Sequence, residues 1–333
     1  MLNKTTLDTL KSTKNLLAFS AGGDSTTLLF LLVKNNIKFD IAIVNYGIRE
    51  QSKEEVLYAK ELALKYNFEC HILNASEIDK NFEARARQIR YDFFEQLIST
   101  HNYNSILTAH HLGDRLEWML MQFCKGAGCI ELAGMQEIEQ RETYKMIRPL
   151  LHLDKSEIIL YLQNNNIKYF EDETNLDQSI KRNEFRHKYA KPLLEKNLQG
   201  IKKSFEYIDK DRDSLFIETN LHQIEEFAYF KSTANKRSDI IHIDRYLKSQ
   251  NYMLSASERE ILEEKNTLIV GRKFIINQQN HYFFILPYEN KNLTLVKEFK
   301  EKCRVLKIEP KIRTYLYQHK EVFLKVQELL RGV

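Results

Sequence analysis

Through the first 150 residues, short apolar runs alternate with longer stretches in which apolar residues recur at helical spacing. Runs at 16–19, 41–44, 70–73 and 106–109 have the length and flanking turn residues of buried strands. Helical patterns fill 26–36, 53–66, 82–99 and 112–123. Repeated strand–helix units predict an α/β fold: a parallel sheet with helices on both faces. Ligands of such sheets bind beyond the carboxyl ends of the strands, where the strand order reverses. Gly22-Gly23, Asn45-Tyr46-Gly47 and His110-His111 each follow a predicted strand, so they are expected around one cleft. Further helices are predicted over 155–164 and 183–198, separated by a polar stretch at 171–179. From about residue 205 the pattern is helical and highly charged, and 268–277 with 281–287 read as a hairpin around Gln278-Gln279-Asn280. The expected division is an α/β domain over 1–200, a mainly helical region over 201–260 and a small α+β segment over 261–333.

Composition narrows the class. The 333 residues are 43% hydrophobic and 29% charged, as in a soluble globular chain of more than one domain. No run approaches the roughly 18 consecutive apolar residues of a membrane span. The first fourteen residues lack the apolar core of a secretory signal. Four cysteines, with no C-x-x-C pair, exclude a disulfide framework and suit a reducing cytoplasm. A net charge of +4 permits a nucleic-acid partner without requiring one.

The candidate chemistry lies at the strand ends. Ser20-Ala21-Gly22-Gly23-Asp24-Ser25 joins a predicted strand to a predicted helix, whose free N–H groups make an anion site. Gly22 and Gly23 are expected to allow close approach and unusual backbone angles. No lysine of the G-x-x-x-x-G-K-[ST] type is present in the loop. Asp24 or Ser25 as an ordinary helix cap is the competing explanation. Ser52 with Glu55 has the spacing of a capping box. Arg87 and Arg90 share one helix side, as a phosphate contact or as a solvated face. The densest constellation is His110-His111-Leu112-Gly113-Asp114-Arg115-Leu116-Glu117, with Asp114 and Glu117 three apart at a helix start. Such a pair of acids can hold an amine or accept its proton. The stretch from Lys181 through the predicted helix over 183–198 is strongly basic, with Arg182, Arg186, Lys188 and Lys191 among its charges.

These blocks together resemble the tRNA(Ile)-lysidine synthetases, PP-loop ATP pyrophosphatases whose fold is adenine-nucleotide α-hydrolase-like. That family carries S-G-G-x-D-S, V-D-H-G-L-R, A-R-x-x-R-Y, A-H-H-x-D-D-x-x-E-T, R-G-x-G with G-M, R-P-L-L, and D-x-S-N with R-N-x-x-R. Counterparts stand here in the same order, at 20–25, 44–49, 86–91, 109–118, 125–128 with 134–135, 148–151, and 172–175 with 182–186. The departures include Ala21, Asn45, Tyr46, Gly113 and Trp118.

The resemblance implies an ATP-dependent ligase that adenylylates the wobble cytidine of an isoleucine tRNA and then lets free L-lysine displace AMP. It implies ATP contacts from Ser20, Ala21, Gly22, Gly23, Asp24, Ser25, Asn45, Arg87 and His111, with Mg²⁺ on Asp24. Asp114 and Glu117 would hold the lysine ammonium and help remove its proton. Arg182 and Arg186 would contact phosphate, and Arg90, Lys188 and Lys191 the tRNA, with the helical region over 201–260 adding backbone contacts. Two alternatives stay open: a related tRNA-thiolating PP-loop enzyme, and a non-catalytic RNA-binding protein with a degenerate loop. The oligomeric state is unread, a homodimer included.

Overall fold

A computed structural model of the chain describes residues 1–47, 51–76, 78, 82–141, 143–171, 181–289 and 293–331. Arg49 and the 172–175 block lie outside these residues. Two compact units are present, Met1–Asp211 and Arg212–Val333. Among the described residues no helix is long and apolar enough to cross a membrane.

The first unit is built on strands β1 (Asn15–Ala18), β2 (Phe39–Asn45), β3 (Cys70–Asn74), β4 (Ser105–Leu107), β5 (Ile138–Gln140) and β6 (Lys145–Ile147). Their order across the sheet is β3-β2-β1-β4-β6-β5, all parallel except β5, which runs antiparallel to β6. Helices α1 (Lys4–Lys11), α2 (Gly23–Lys34), α3 (Gln51–Tyr66), α4 (Phe82–His101), α5 (Leu112–Phe123), α6 (Cys129–Ala133) and α7 (Lys155–Asn164) surround it.

Strand side chains alternate between two cores. Leu17, Ile41, Ile43, Leu107 and Ile147 pack with Leu28, Leu32, Leu62 and Ile158 of α2, α3 and α7. Leu16, Ala42, Ile106 and Met146 pack with Phe93, Phe94, Leu97 and Ile98 of α4. Each such buried side chain contributes about 1.5–3 kcal/mol. The sheet is therefore covered on both faces, as predicted. Strands β5 and β6, three residues each, were too short to register as a pattern. Ser52 lies inside the first turn of α3 and is buried, so it is not the cap its spacing suggested.

The expected helix over 183–198 is three pieces: α8 (Lys181–Phe185), a π-helical turn over Arg186–Ala190, and α9 (Lys191–Leu215). The division between the units falls within α9.

The second unit corrects two expectations. Residues 201–260 are not a separate helical region, because β7 (His222–Ile224) and β8 (Phe227–Lys231) join a five-stranded antiparallel sheet. The sheet continues with β9 (Thr267–Val270), β10 (Phe274–Gln279) and β11 (Tyr282–Pro287), in the order β7-β8-β11-β10-β9. Phe227 and Tyr229 enter one core while Ala228 and Phe230 enter the other. A strand buried on both faces loses the apolar–polar alternation that would announce it. The hairpin expected at 268–287 exists as β10–β11, but 268–277 is split at Gly271, whose φ is +56°. Helices α10 (Lys236–Ser249), α11 (Ala256–Glu264), α12 (Lys297–Val305), α13 (Arg313–Gln318) and α14 (Lys320–Arg331) complete the unit.

Candidate active site

After β3 the chain crosses to the far side of β1, so the strand order reverses between β1 and β4. The segment after β1 is the glycine loop, and the segment after β4 leads through His110 and His111 into α5.

In the loop, the one left-handed residue is Ala21, with φ of +57°. Gly22 is extended and Gly23 begins α2, so neither glycine takes the angle expected of it. The carbonyl of Ala21 accepts the Phe170 N–H at 3.0 Å, which ties the turn to the chain beyond α7. Gly23 matters for packing: a Cβ there would stand 3.4 Å from the side chains of Leu162 and Tyr169. The Ser25 hydroxyl donates to the Gly22 carbonyl at 3.1 Å and accepts the Ser20 N–H at 3.2 Å. The two serine hydroxyls lie 3.1 Å apart at the head of α2, whose free N–H groups favour anions. Asp24, in the first turn of α2, receives Lys155 Nζ at 2.6 Å.

At the head of α5 the His111 ring caps its own helix, with Nδ1 accepting the Gly113 N–H at 3.0 Å. A Cβ on residue 113 would lie 2.7 Å from His111 Cε1, so Gly113 is what lets the ring turn inward. Trp118 in the same way lies over Gly134, where a Cβ would be 2.6 Å from the indole. His111, expected to contact ATP, is thus engaged in the cap of α5.

Asp114 and Glu117 are buried, and both carry arginines. Arg182 donates Nη2 to Asp114 Oδ1 at 2.7 Å and Nε to Glu117 Oε2 at 3.1 Å. Arg186 donates Nε to Glu117 Oε1 at 2.6 Å and reaches Asp114 Oδ1 with Nη2 at 3.2 Å. Asp114 also accepts the His111 N–H at 3.0 Å. Burial alone would raise the Asp114 carboxyl; the neighbouring histidines, Arg182 and that N–H outweigh it and hold the group well below the usual carboxylate range. Burial disfavours charge on both arginines, but the two carboxylates keep them firmly protonated. Asp24 is among the negative charges acting on Arg186, which links this cluster to the loop. Asp114 and Glu117, expected to hold a lysine ammonium, stand here with two arginines on them. Their oxygens are taken by guanidinium groups, and so acidic a carboxyl is a poor proton acceptor.

His110 shares a hydrogen bond of 2.9 Å between its Nδ1 and the Thr108 hydroxyl. Burial lowers its pKa to about 4, so it is neutral at pH 7.

Sequence reasoning missed two residues here. Arg115 grips Asp209 of α9 through Nη1 and Nη2 at 2.9 and 2.6 Å, donates to the Ala133 carbonyl, and lies over the Phe205 ring. It locks α5 to α9 and to α6. Lys155 is the other. Both pair with residues about a hundred positions away, beyond any local pattern.

The remaining predicted residues are placed less centrally. Asn45 ends β2 and spends its side chain on Asn74 and the Gly47 N–H. Arg87 and Arg90 are exposed near the start of α4, with Arg87 over the Tyr91 ring. Lys188 and Lys191 are exposed and face Glu184 and Glu195 at 2.9 and 3.9 Å. A single half-exposed carboxylate beside a phosphate-type loop, as Asp24 is, fits Mg²⁺, which takes one or two carboxylates and completes its shell with phosphate oxygens and water.

A profile for the PP-loop domain matches residues 2–193. A tRNA(Ile)-lysidine synthase from Helicobacter pylori is 41% identical over 315 residues, 94% of this chain and 92% of that one. The enzyme of that name from Wolinella succinogenes is 40% identical, over 92% of this chain and 94% of its own. Among solved structures, the U34-tRNA thiolase NcsA from Methanococcus maripaludis shares the fold at a TM-score of 0.50 and 21% identity, covering 65% of this chain and 80% of that one.

Proposed function

This chain belongs to the tRNA(Ile)-lysidine synthase family of PP-loop enzymes, and we propose on that footing that it joins L-lysine to the wobble cytidine of an isoleucine tRNA at the expense of ATP. The observation that carries the residue roles is the paired-arginine cluster facing the switch point beside the glycine loop.

The ring oxygen of cytidine is a poor leaving group, and attaching AMP to it makes it a good one. Ser20, Gly22, Gly23, Ser25 and the first N–H groups of α2 hold the pyrophosphate portion of ATP. Asp24 holds Mg²⁺, which when bound supplies positive charge against phosphate oxygens. Arg182 and Arg186 meet the charge that builds on phosphate as the adenylate forms, and Asp114 with Glu117 fix their positions. Because those guanidinium groups are oriented before substrate arrives, little reorganisation is needed during the reaction. Arg90, with Lys188 and Lys191, supplies exposed charge for the tRNA backbone. The reaction belongs to the cytoplasm.

The test is to incubate the full chain with ATP, labelled L-lysine and an isoleucine tRNA transcript. Label in the tRNA, with AMP and pyrophosphate released in equal amounts, is the expected outcome. Absence of pyrophosphate release overturns the reading. Cys124→Ser with Cys129→Ser leaves lysine incorporation unchanged, whereas a thiolating enzyme would lose activity.

A further inference from the structure

We infer that Lys155 is the phosphate-binding cation of the glycine loop, held on Asp24 until a polyphosphate and its metal arrive. The inference rests on the ATP-using reading above. Loops of the G-x-x-x-x-G-K-[ST] type carry their own lysine, and Ser20-Ala21-Gly22-Gly23-Asp24-Ser25 carries none. The fold supplies one from α7, 131 residues away, with Nζ 2.6 Å from Asp24 Oδ1.

The setting of Lys155 is unusual for a structural lysine. It is the first residue of α7, the positive end of the helix dipole, where cations are disfavoured. Acids favoured there, Asp154 and Glu157, already close the capping box around it. Its backbone is fixed against the loop, since Ile158 lies in the core shared with α2 and Leu162 lies against Gly23. Its side chain is 48% exposed, so the ammonium can swing while its base cannot. A surface pair of this kind adds little stability, which leaves function as the reason for a lysine at this position.

Mg²⁺ on Asp24 would compete with the Lys155 ammonium for the charge of the one carboxylate. A polyphosphate at the head of α2 offers the displaced lysine a stronger anion close by. The lysine keeps the loop closed on itself when empty and becomes a ligand for phosphate when the loop is filled.

Titration calorimetry on the whole chain tests this with two probes, inorganic pyrophosphate at saturating Mg²⁺ and Mg²⁺ alone. Lys155→Met, which keeps the length of the stem, is expected to bind pyrophosphate at least tenfold more weakly and Mg²⁺ several-fold more tightly. Lys155→Arg restores pyrophosphate binding. Unchanged pyrophosphate affinity in Lys155→Met overturns the inference, as does a parallel weakening for both probes, which marks a collapsed loop. If the unsubstituted chain binds neither pyrophosphate nor ATP, the ATP-using reading itself fails.

Discussion

The loop after β1 and the helix after β4 flank the same reversal of strand order, yet they are held in place by different forces. The loop is shaped by short-range contacts: two hydroxyls, a few backbone hydrogen bonds and one left-handed residue. The α5 side is shaped by buried charge, two carboxylates against two guanidinium groups from a distant part of the chain. Short-range contacts tolerate substitution, because each is worth about 1 kcal/mol and its neighbours adjust. A buried charge network does not, because removing one member strands the others.

Four measurements break or sharpen that contrast. Glu117→Gln has the largest expected effect, because the Glu117 side chain is 2% exposed and serves both arginines. The loss is about 3–5 kcal/mol, toward the lower figure because the arginines retain some solvent. Denaturant melts give this number. In activity assays, Glu117→Gln and Asp114→Asn reduce adenylylation and lysine transfer together. Accumulation of adenylylated tRNA in either variant would return the carboxylates to the lysine site.

The next effect is a pH slope confined to the charged side. The His110 pKa is lowered to about 4 in the folded chain and stands near 6.5 when unfolded. The unfolded state therefore binds the proton first as pH falls. Stability is complete above about pH 6.5 and declines toward pH 4, by up to about 3 kcal/mol, less what residual solvent screens. His110→Asn flattens that slope, and substitutions in the loop leave it intact. Asp114, whose pKa is depressed, contributes above the ordinary carboxylate range near 4 and loses that contribution only in stronger acid.

Arg115→Lys comes third, at about 2–3 kcal/mol, because an ammonium cannot reproduce the fork on Asp209 while also serving the Ala133 carbonyl. Full stability in that variant would show that α5 is held by its apolar face alone. Ala21→Gly is the smallest. Relief of the left-handed strain gains about 1–2 kcal/mol, and loss of a fully buried methyl costs about 0.8 kcal/mol. The greater freedom of glycine in the unfolded chain costs about 0.5–1 kcal/mol more. The net change is within about 1 kcal/mol of zero, and a larger gain would show that the loop is strained rather than merely unusual.

The same distinction governs what could be read from the chain beforehand. The loop, the first four strands and the helix over 112–123 are local patterns, and each stands within a few residues of its expected place. The wiring of the site is long-range. Nothing near Asp114 in sequence signals Arg182, and nothing near Asp24 signals Lys155. Resemblance to a family supplied the arginines without their partners on α5. Arg115 stood at a variable position of its motif and drew no attention. In the second unit, β8 presents four consecutive buried residues and β9 is cut from β10 by a tight turn, so neither offers the alternation of a half-buried strand.

The π-helical turn at Arg186–Ala190 fits one more residue into its circuit than the helices on either side. Upstream of it stands Arg182; its last residue, Ala190, and Leu194 beyond it pack against Leu112 and Leu116 of α5. The surplus residue sets the phase between the charged stretch and the greasy one. A lineage that deleted it would rotate one against the other by roughly a hundred degrees, the angle between successive residues of an ordinary helix. Deleting that residue would therefore break either the contacts of Arg182 with Asp114 and Glu117 or the packing of Ala190 and Leu194 on α5.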